Sequence, residues 1–251
     1  MAADQFVFFV SGLIGFGPSV AVLFHALRTY DYPHTEKAYF DTGRVFLALA
    51  VGMVLGTASG ALTVALQQGV GSVLALVIVL LLLALFEEGF KVLYLNRKGY
   101  RGRFDTTFVG LTLGVGIASI VAAGSAYGNG PALLAPSFVA TLAIFSASLG
   151  FLHVSTGALI GYGCSKAEVV VPFAQAYVAR ILHAAMLVPF FVAGSLQDRE
   201  ILVPLFSLSA AVAFAAILYV YVYRNVLPAT LPPDLRRERR RRFRKAEPAD
   251  E

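Results

Sequence analysis

Long runs of apolar residues alternate with short polar segments along this chain. Each run is about 20 residues or longer, which is the length that an α-helix needs to cross the hydrocarbon core of a bilayer. The pattern predicts an all-α, polytopic membrane helix bundle with about seven transmembrane helices. The predicted spans are residues 6–27, 45–66, 70–95, 106–126, 138–162, 172–194 and 201–223.

The composition agrees with a membrane protein. Of the 251 residues, 58% are hydrophobic and 14% are charged, whereas a soluble domain usually has about 25% charged residues. An ordinary soluble protein is therefore excluded, and we assign residues 1–226 to one transmembrane helical domain. The single cysteine, Cys164, has no flanking basic pair that would activate its thiol, so we expect a small core residue.

The positions of lysine and arginine predict the orientation of the bundle. Seven spans place the two termini on opposite sides, and seventeen Lys and Arg residues then lie on one side against Arg199 alone on the other. Because cytoplasmic loops carry the excess of positive residues, we expect the N-terminus outside and the C-terminus in the cytoplasm of a cell-membrane protein. The seventeen are Arg28, Lys37, Arg44, Arg97, Lys98, Arg101, Arg103, Lys166, Arg224 and eight in the segment 236–245.

Residues 227–251 form a basic segment after the last predicted span. Prolines at 228, 232 and 233 are expected to end that helix, and eight basic residues follow between Arg236 and Lys245. We expect a disordered cytoplasmic tail that is attracted to anionic lipid by about 1 kcal/mol per charge near the surface. The alternative is that this segment binds an acidic partner or nucleic acid. Binding to a specific nucleic acid is not expected.

Glycine recurs every four residues in two of the predicted spans. Gly52, Gly56 and Gly60 show this spacing in the second span, and Gly110 and Gly114 repeat it in the fourth. Small residues at this spacing allow helix backbones to approach closely. We therefore interpret these glycines as packing positions.

Three charged residues interrupt the third apolar run. A charge at bilayer depth costs at least about 2.5–3.5 kcal/mol, so Glu87, Glu88 and Lys91 need partners or a water-filled cavity. Glu87 and Lys91 are separated by four residues and are expected to pair on the helix surface. The other ionisable residues well inside the predicted spans are His153, Arg180 and His183.

Depth in the membrane brings three of these residues to a similar level. A rise of 1.5 Å per residue places Glu88 about 10 Å, His153 about 13 Å and His183 about 16 Å from the same side. Two histidines and a carboxylate are a ligand set of catalytic zinc sites, with Glu87 available as general base. A metal-free alternative uses a buried Glu to activate water while the histidines stabilise the oxyanion. The alternative is a site with only a structural role, in which a Glu and Lys91 neutralise each other and the histidines join helices by hydrogen bonds.

The motif Glu87-Glu88-Gly89-Phe90-Lys91 resembles the Glu-Glu-x-x-Lys motif of the PrsW-like membrane proteases, relatives of the CAAX-protease and Abi (CPBP) families. The likeness covers roughly residues 80–185. Further residues that resemble the family pattern are Asp105, Gly110, Gly114, Gly116, the segment His153 to Gly157 with Gly161, and Ile181-Leu182-His183-Ala184.

The resemblance implies an intramembrane endopeptidase acting on a transmembrane or juxtamembrane protein substrate from the inner leaflet. It implies that Glu87, Glu88, His153 and His183 are catalytic, with Lys91 and Arg180 as supporting residues. The implied metal is Zn²⁺ on Glu88, His153 and His183.

Two positions depart from the family pattern. The glutamate of the family's second motif aligns with Val121, and the polar residue four positions after the last histidine aligns with Leu187. These departures favour reduced activity, or a catalytically inactive homologue that binds membrane-protein or lipid partners. A proton- or cation-coupled transporter is a further alternative because buried ionisable residues also mark ion pathways.

Overall fold

The computed structural model describes residues 2–36, 38–67, 72–192 and 202–246, and these residues form helices and connecting loops without a β-strand. The all-α prediction is confirmed. The long helices are α1 (Ala2–Leu27), α2 (Thr42–Gln67), α3 (Val73–Leu95), α4 (Thr106–Gly128), α5 (Pro136–Lys166), α6 (Val170–Val192) and α7 (Leu202–Tyr221). The shorter elements are 3₁₀ turns at Arg28–Tyr30 and Gly130–Leu134, a π-helical turn at Val222–Val226, α8 (Leu227–Thr230) and α9 (Pro233–Ala246).

Six helices within the described residues are long and apolar enough to cross a membrane, namely α1, α2, α4, α5, α6 and α7. The prediction of a multi-pass membrane protein is supported to this extent. Helix α3 is 23 residues long and carries the three charged residues Glu87, Glu88 and Lys91. Whether α3 is a seventh span stays a prediction.

Helix α4 forms the centre of the bundle. Every residue from Thr106 to Ser119 is buried, as expected for an apolar helix surrounded by other helices. Close approach is possible because glycines face the neighbouring backbone: a Cβ on Gly114 would meet the backbone oxygen of His153, and one on Gly110 would meet that of Gly157. The packing role expected for Gly110 and Gly114 is therefore supported by their surroundings, whereas a Cβ on Gly60 would have nothing within 4 Å.

The polar loops that carry most of the basic residues meet at one end of the bundle, which we call the basic end. The backbone N–H of Gly102 donates to the carbonyl of Cys164 at 3.0 Å, and Arg44 donates to the carbonyl of Gly99 at 3.0 Å. Thr230, after α7, donates to the carbonyl of Phe104 at 2.9 Å. The loops after α1, α3 and α5 and the end of the chain are thus joined. Two residues counted in the topology prediction, Lys37 and Arg199, lie outside the described residues.

The segment after residue 226 differs from the expected disordered tail. Leu227, Thr230 and Leu231 are buried in the bundle core, so the packed core continues past residue 226. Pro233–Ala246 then forms helix α9, because proline is favoured at the start of a helix and arginine is a good helix former. Residues 247–251 lie outside the described residues.

Candidate functional site

Helix α3 places three charged side chains inside the bundle. Glu87, Glu88 and Lys91 are exposed by 2%, 0% and 0%. They share a helix face because residues three and four apart lie one above the other. This face is directed toward α2, α5 and α6, which supply the partners described below.

The Lys91 ammonium is the most fully satisfied group of the site. It donates to Glu88 Oε1 at 2.7 Å and to Thr156 Oγ1 at 2.7 Å, and it lies 3.3 Å from His153 Nδ1. These three partners match the three donors of an ammonium. The expected pairing of Glu87 with Lys91 is therefore wrong, since Lys91 pairs with Glu88 at i,i+3. Helix α5 contributes the polar groups that hold the ammonium beside Glu88.

Glu87 is paired with a different helix. Arg180 on α6 donates from Nε to Glu87 Oε2 at 2.6 Å, and Ser59 on α2 donates to Glu87 Oε1. His153 Nε2 lies 4.0 Å from Glu87 Oε2. Both oxygens of Glu87 are thus engaged. Arg180 is the most accessible member of the site, with 14% of its side chain exposed.

Glu87, Glu88 and His153 form a compact group, in which one ligand atom of each residue lies within 4.8 Å of the others. His183 is not part of this group. Its Nε2 instead lies 2.7 Å from the hydroxyl of Ser148 on α5. The structure therefore brings together both predicted carboxylates and one predicted histidine, and places the second histidine in a separate hydrogen bond.

Three buried atoms of the site have no hydrogen-bond partner within the described part of the chain: Glu88 Oε2, His153 Nε2 and His183 Nδ1. Each belongs to a residue predicted to bind the metal. A buried polar atom without a partner costs about 1–3 kcal/mol, and such atoms commonly bond to water or an ion. Glu88 Oε2 and His153 Nε2 can therefore each bond to a further polar species, such as a water or an ion.

The charge balance decides which species fits better. Histidine nitrogens and glutamate oxygens are common zinc ligands. However, Lys91 and Arg180 already neutralise Glu88 and Glu87, so a divalent cation would give the buried site a net charge of about +2 if the histidine is neutral, which is unfavourable in a low-dielectric interior. A neutral water satisfies the same atoms without this penalty. The ligand atoms of the site therefore fit zinc, whereas its net charge does not.

Sequence reasoning missed Ser59, Ser148 and Thr156. Thr156 follows His153 by one helical turn, and this spacing was a signal that both belong to one face of α5. Ser59 and Ser148 had no comparable signal, because a single serine in a small-residue helix usually bonds its own backbone.

The two departures from the family pattern lie together in apolar packing. Leu187 is buried in a cluster with Ala118, Leu208 and other apolar residues, and Val121 packs against the same cluster. The two departures therefore belong to the same apolar cluster.

An apolar groove of about 330 Å³ lies between α2 and α3. Its wall includes Val54, Ala58, Phe86 and Phe90. Phe86 immediately precedes Glu87, and Ala58 immediately precedes the serine that bonds Glu87. Two residues of the groove wall are therefore sequence neighbours of the charged cluster of Glu87, Glu88, Lys91 and Arg180, although no residue of that cluster is among those that line the groove.

Comparison of the chain with family models, curated proteins and solved structures found no match.

Proposed function

We propose that this chain is a seven-span cell-membrane protein with its N-terminus outside and its basic end in the cytoplasm. The clustering of the Arg- and Lys-rich loops at one end supports this orientation, since such loops are retained on the cytoplasmic side. Helix α3 then crosses the membrane with its charges neutralised by Arg180 and by the pairing of Lys91 with Glu88.

We further propose an intramembrane hydrolase that cleaves a peptide bond in a transmembrane or juxtamembrane segment. The observation that carries this proposal is the buried Glu87–Glu88–His153 group with unpartnered atoms at Glu88 Oε2 and His153 Nε2. A water between these two atoms is oriented by both. The motif resemblance to PrsW-like proteases agrees with this chemistry.

We propose different roles for the two carboxylates. Glu88 has a free oxygen and acts as the general base: it accepts a proton from water while the water oxygen attacks the carbonyl carbon. Glu87 uses both oxygens to hold Ser59 and Arg180 and is a positioning residue. Arg180 is partly exposed beside this pair, and its remaining N–H groups are donors for the developing oxyanion. The peptide C–N bond of the resulting tetrahedral intermediate then breaks, and the proton on Glu88 passes to the leaving amine nitrogen.

The groove between α2 and α3 is the proposed approach for the substrate. Its apolar walls suit a hydrophobic segment, and Phe86 and Ala58 in these walls are the sequence neighbours of Glu87 and Ser59. In this proposal a substrate segment enters the groove from the bilayer and reaches the cluster without passing through the basic end.

A second candidate is a non-catalytic homologue that binds a membrane-protein partner through the same groove. It is favoured by two observations. The charges of the cluster are fully paired, and the two further polar positions of the family pattern are the apolar Val121 and Leu187. In that case Glu87, Glu88, Lys91 and Arg180 serve only to hold the helices together.

The test compares membranes from cells that produce the wild-type chain or Glu88→Gln. New protein N-termini are identified by chemical labelling and mass spectrometry. A cleavage that depends on the wild-type chain should fall by about 10²–10⁴-fold with Glu88→Gln, the usual contribution of a general base. Glu168→Gln, which changes an exposed carboxylate between α5 and α6, is the matched control and should retain full cleavage.

A strong zinc chelator separates the water mechanism from a metal mechanism. We expect unchanged cleavage of an identified substrate, whereas loss that zinc restores would show that the charge argument against a metal is wrong. Identical N-termini in wild-type and Glu88→Gln membranes, with both proteins folded, would favour the non-catalytic homologue.

A further inference from the structure

Helix α9 is one of the most basic elements of the chain, and hydrolysis does not use it. Residues Pro233–Ala246 contain seven arginines and one lysine against Asp234 and Glu238. A helix with this excess of positive charge must either remain in solvent or meet an anionic surface. Its contacts with the bundle decide between these possibilities.

Two arginines attach α9 to the basic end. Arg236 donates from Nη2 to the carbonyls of Ala229 at 2.8 Å and Leu231 at 3.1 Å. The guanidinium of Arg239 lies 4.7 Å from the centroid of the Tyr30 ring, and its Nη2 donates to Thr29 at 3.3 Å. Because these partners lie at the ends of α8 and α1, they hold the helix against the bundle.

The apolar side of α9 faces the same way as these anchors. Leu235 packs against the core cluster that includes buried Tyr30, Leu227 and Leu231. Arg237 and Arg241, four residues apart, are exposed. The helix therefore has an inner side that binds the bundle and an outer side whose positive charges remain available to another molecule.

The position of α9 points to the class of that molecule. Tyr30 closes the first apolar span, so α9 is held where the spans end and where lipid headgroups begin. Arg28 and Arg224, which are also exposed, flank the same end of α1 and α7. Arginine binds phosphate oxygens through paired N–H donors, and a polybasic segment beside a membrane domain is attracted to anionic lipid.

We propose that the outer side of α9, represented by Arg237 and Arg241, binds the phosphate of an anionic phospholipid at the cytoplasmic membrane surface. The anchors make this a fixed site on the bundle. The proposal rests on the membrane topology given above and is independent of the hydrolytic function.

The test measures lipid binding to the purified full-length protein in a neutral detergent. Short-chain phosphatidylglycerol is titrated and its Kd is determined, with short-chain phosphatidylcholine and free glycerol phosphate as the other probes. We expect phosphatidylglycerol to bind best, and its Kd to rise with salt because exposed charges are screened. Equal binding of phosphatidylcholine would overturn the proposal. Equal binding of free glycerol phosphate would identify a soluble phosphate compound as the ligand instead.

Variants locate the site on α9. Arg237→Gln combined with Arg241→Gln should weaken phosphatidylglycerol binding by about fivefold for each charge removed. Lys98→Gln combined with Arg101→Gln removes the same charge from exposed positions in the loop after α3 and should have a clearly smaller effect. Equal weakening by both pairs would show that the whole basic end attracts lipid without a site on α9.

A further variant tests whether the contacts that hold α9 against the bundle are needed for lipid binding. Arg239→Lys keeps the charge but loses the planar group that stacks on Tyr30, so it should weaken phosphatidylglycerol binding by a few-fold at unchanged net charge. An unchanged Kd would contradict the fixed site. Binding of single-stranded polyuridylate more tightly than of phosphatidylglycerol at physiological salt would make nucleic acid the partner and reject the lipid proposal.

Discussion

Replacing Lys91 by Met removes the positive charge from the centre of the cluster. The ammonium is fully buried and has three partners, of which Glu88 at 2.7 Å is a carboxylate. After the change, Glu88 Oε1 keeps only a 3.3 Å hydrogen bond from Thr156. Breaking one side of a buried ion pair costs about 3–5 kcal/mol, and we expect this loss of stability for Lys91→Met.

The double variant isolates the ion pair from the loss of packing. Glu88→Gln alone should also cost about 3–5 kcal/mol, because Lys91 is then the uncompensated charge. Glu88→Gln with Lys91→Met leaves neither charge, and Glu87 remains paired with Arg180. We expect the double variant to recover most of the lost stability, with a coupling of about 3 kcal/mol or more.

The single cysteine supplies the assay. Cys164 is fully buried, so a thiol-reactive fluorescent maleimide reports its exposure as the purified protein unfolds on heating. A loss of 3–5 kcal/mol corresponds to a fall in Tm of roughly 6–20 °C for a domain of this size. Lys98→Met, at an exposed position, should change stability by less than about 0.5 kcal/mol. A wild-type Tm for Lys91→Met, or strictly additive losses in the double variant, would refute the assigned pairing.

Two further predictions concern packing. Gly114→Ala should destabilise the bundle by about 1–3 kcal/mol, because its Cβ would meet the backbone of His153. The control Gly124→Ala, on the same helix, adds a Cβ with nothing within 4 Å and should be neutral or stabilising by up to about 1 kcal/mol. Equal Tm changes for the two variants in the same heating assay would contradict the close approach. At room temperature the folded protein should leave Cys164 unlabelled by maleimide, and rapid stoichiometric labelling before unfolding would contradict its buried position.

The helices were predictable because their lengths are set by the bilayer. The predicted span 106–126 is close to the observed Thr106–Gly128, and 172–194 is close to Val170–Val192. Apolar runs of this length have few alternatives to a helix, since backbone polar groups in lipid must bond within their own segment. The packing of the segment after residue 226 was less predictable, because burial of Leu227 and Leu231 depends on contacts with distant helices.

The partners within the cluster were not predictable from spacing alone. The i,i+4 relation of Glu87 and Lys91 describes only one helix surface and is worth about 0.2–0.5 kcal/mol. Arg180 and Ser59 come from other helices and compete for Glu87. Tertiary partners in the bundle interior outweigh this local preference, so the pairing follows the assembly of α2, α3, α5 and α6.

Helix α4 shows how the site depends on residues without functional groups. It contributes no side chain to the cluster, yet Gly114 faces the backbone of His153, and Gly110 faces that of Gly157 one turn further along α5. A larger residue at either position would push α5 away from α4 and would displace His153 and Thr156 relative to α3. The distances that join Lys91 to His153 and Thr156 therefore depend on the glycines that hold α5 against α4. For this reason the glycine spacing and the Glu-Glu-x-x-Lys motif, although separate in the sequence, belong to one structural requirement of the site.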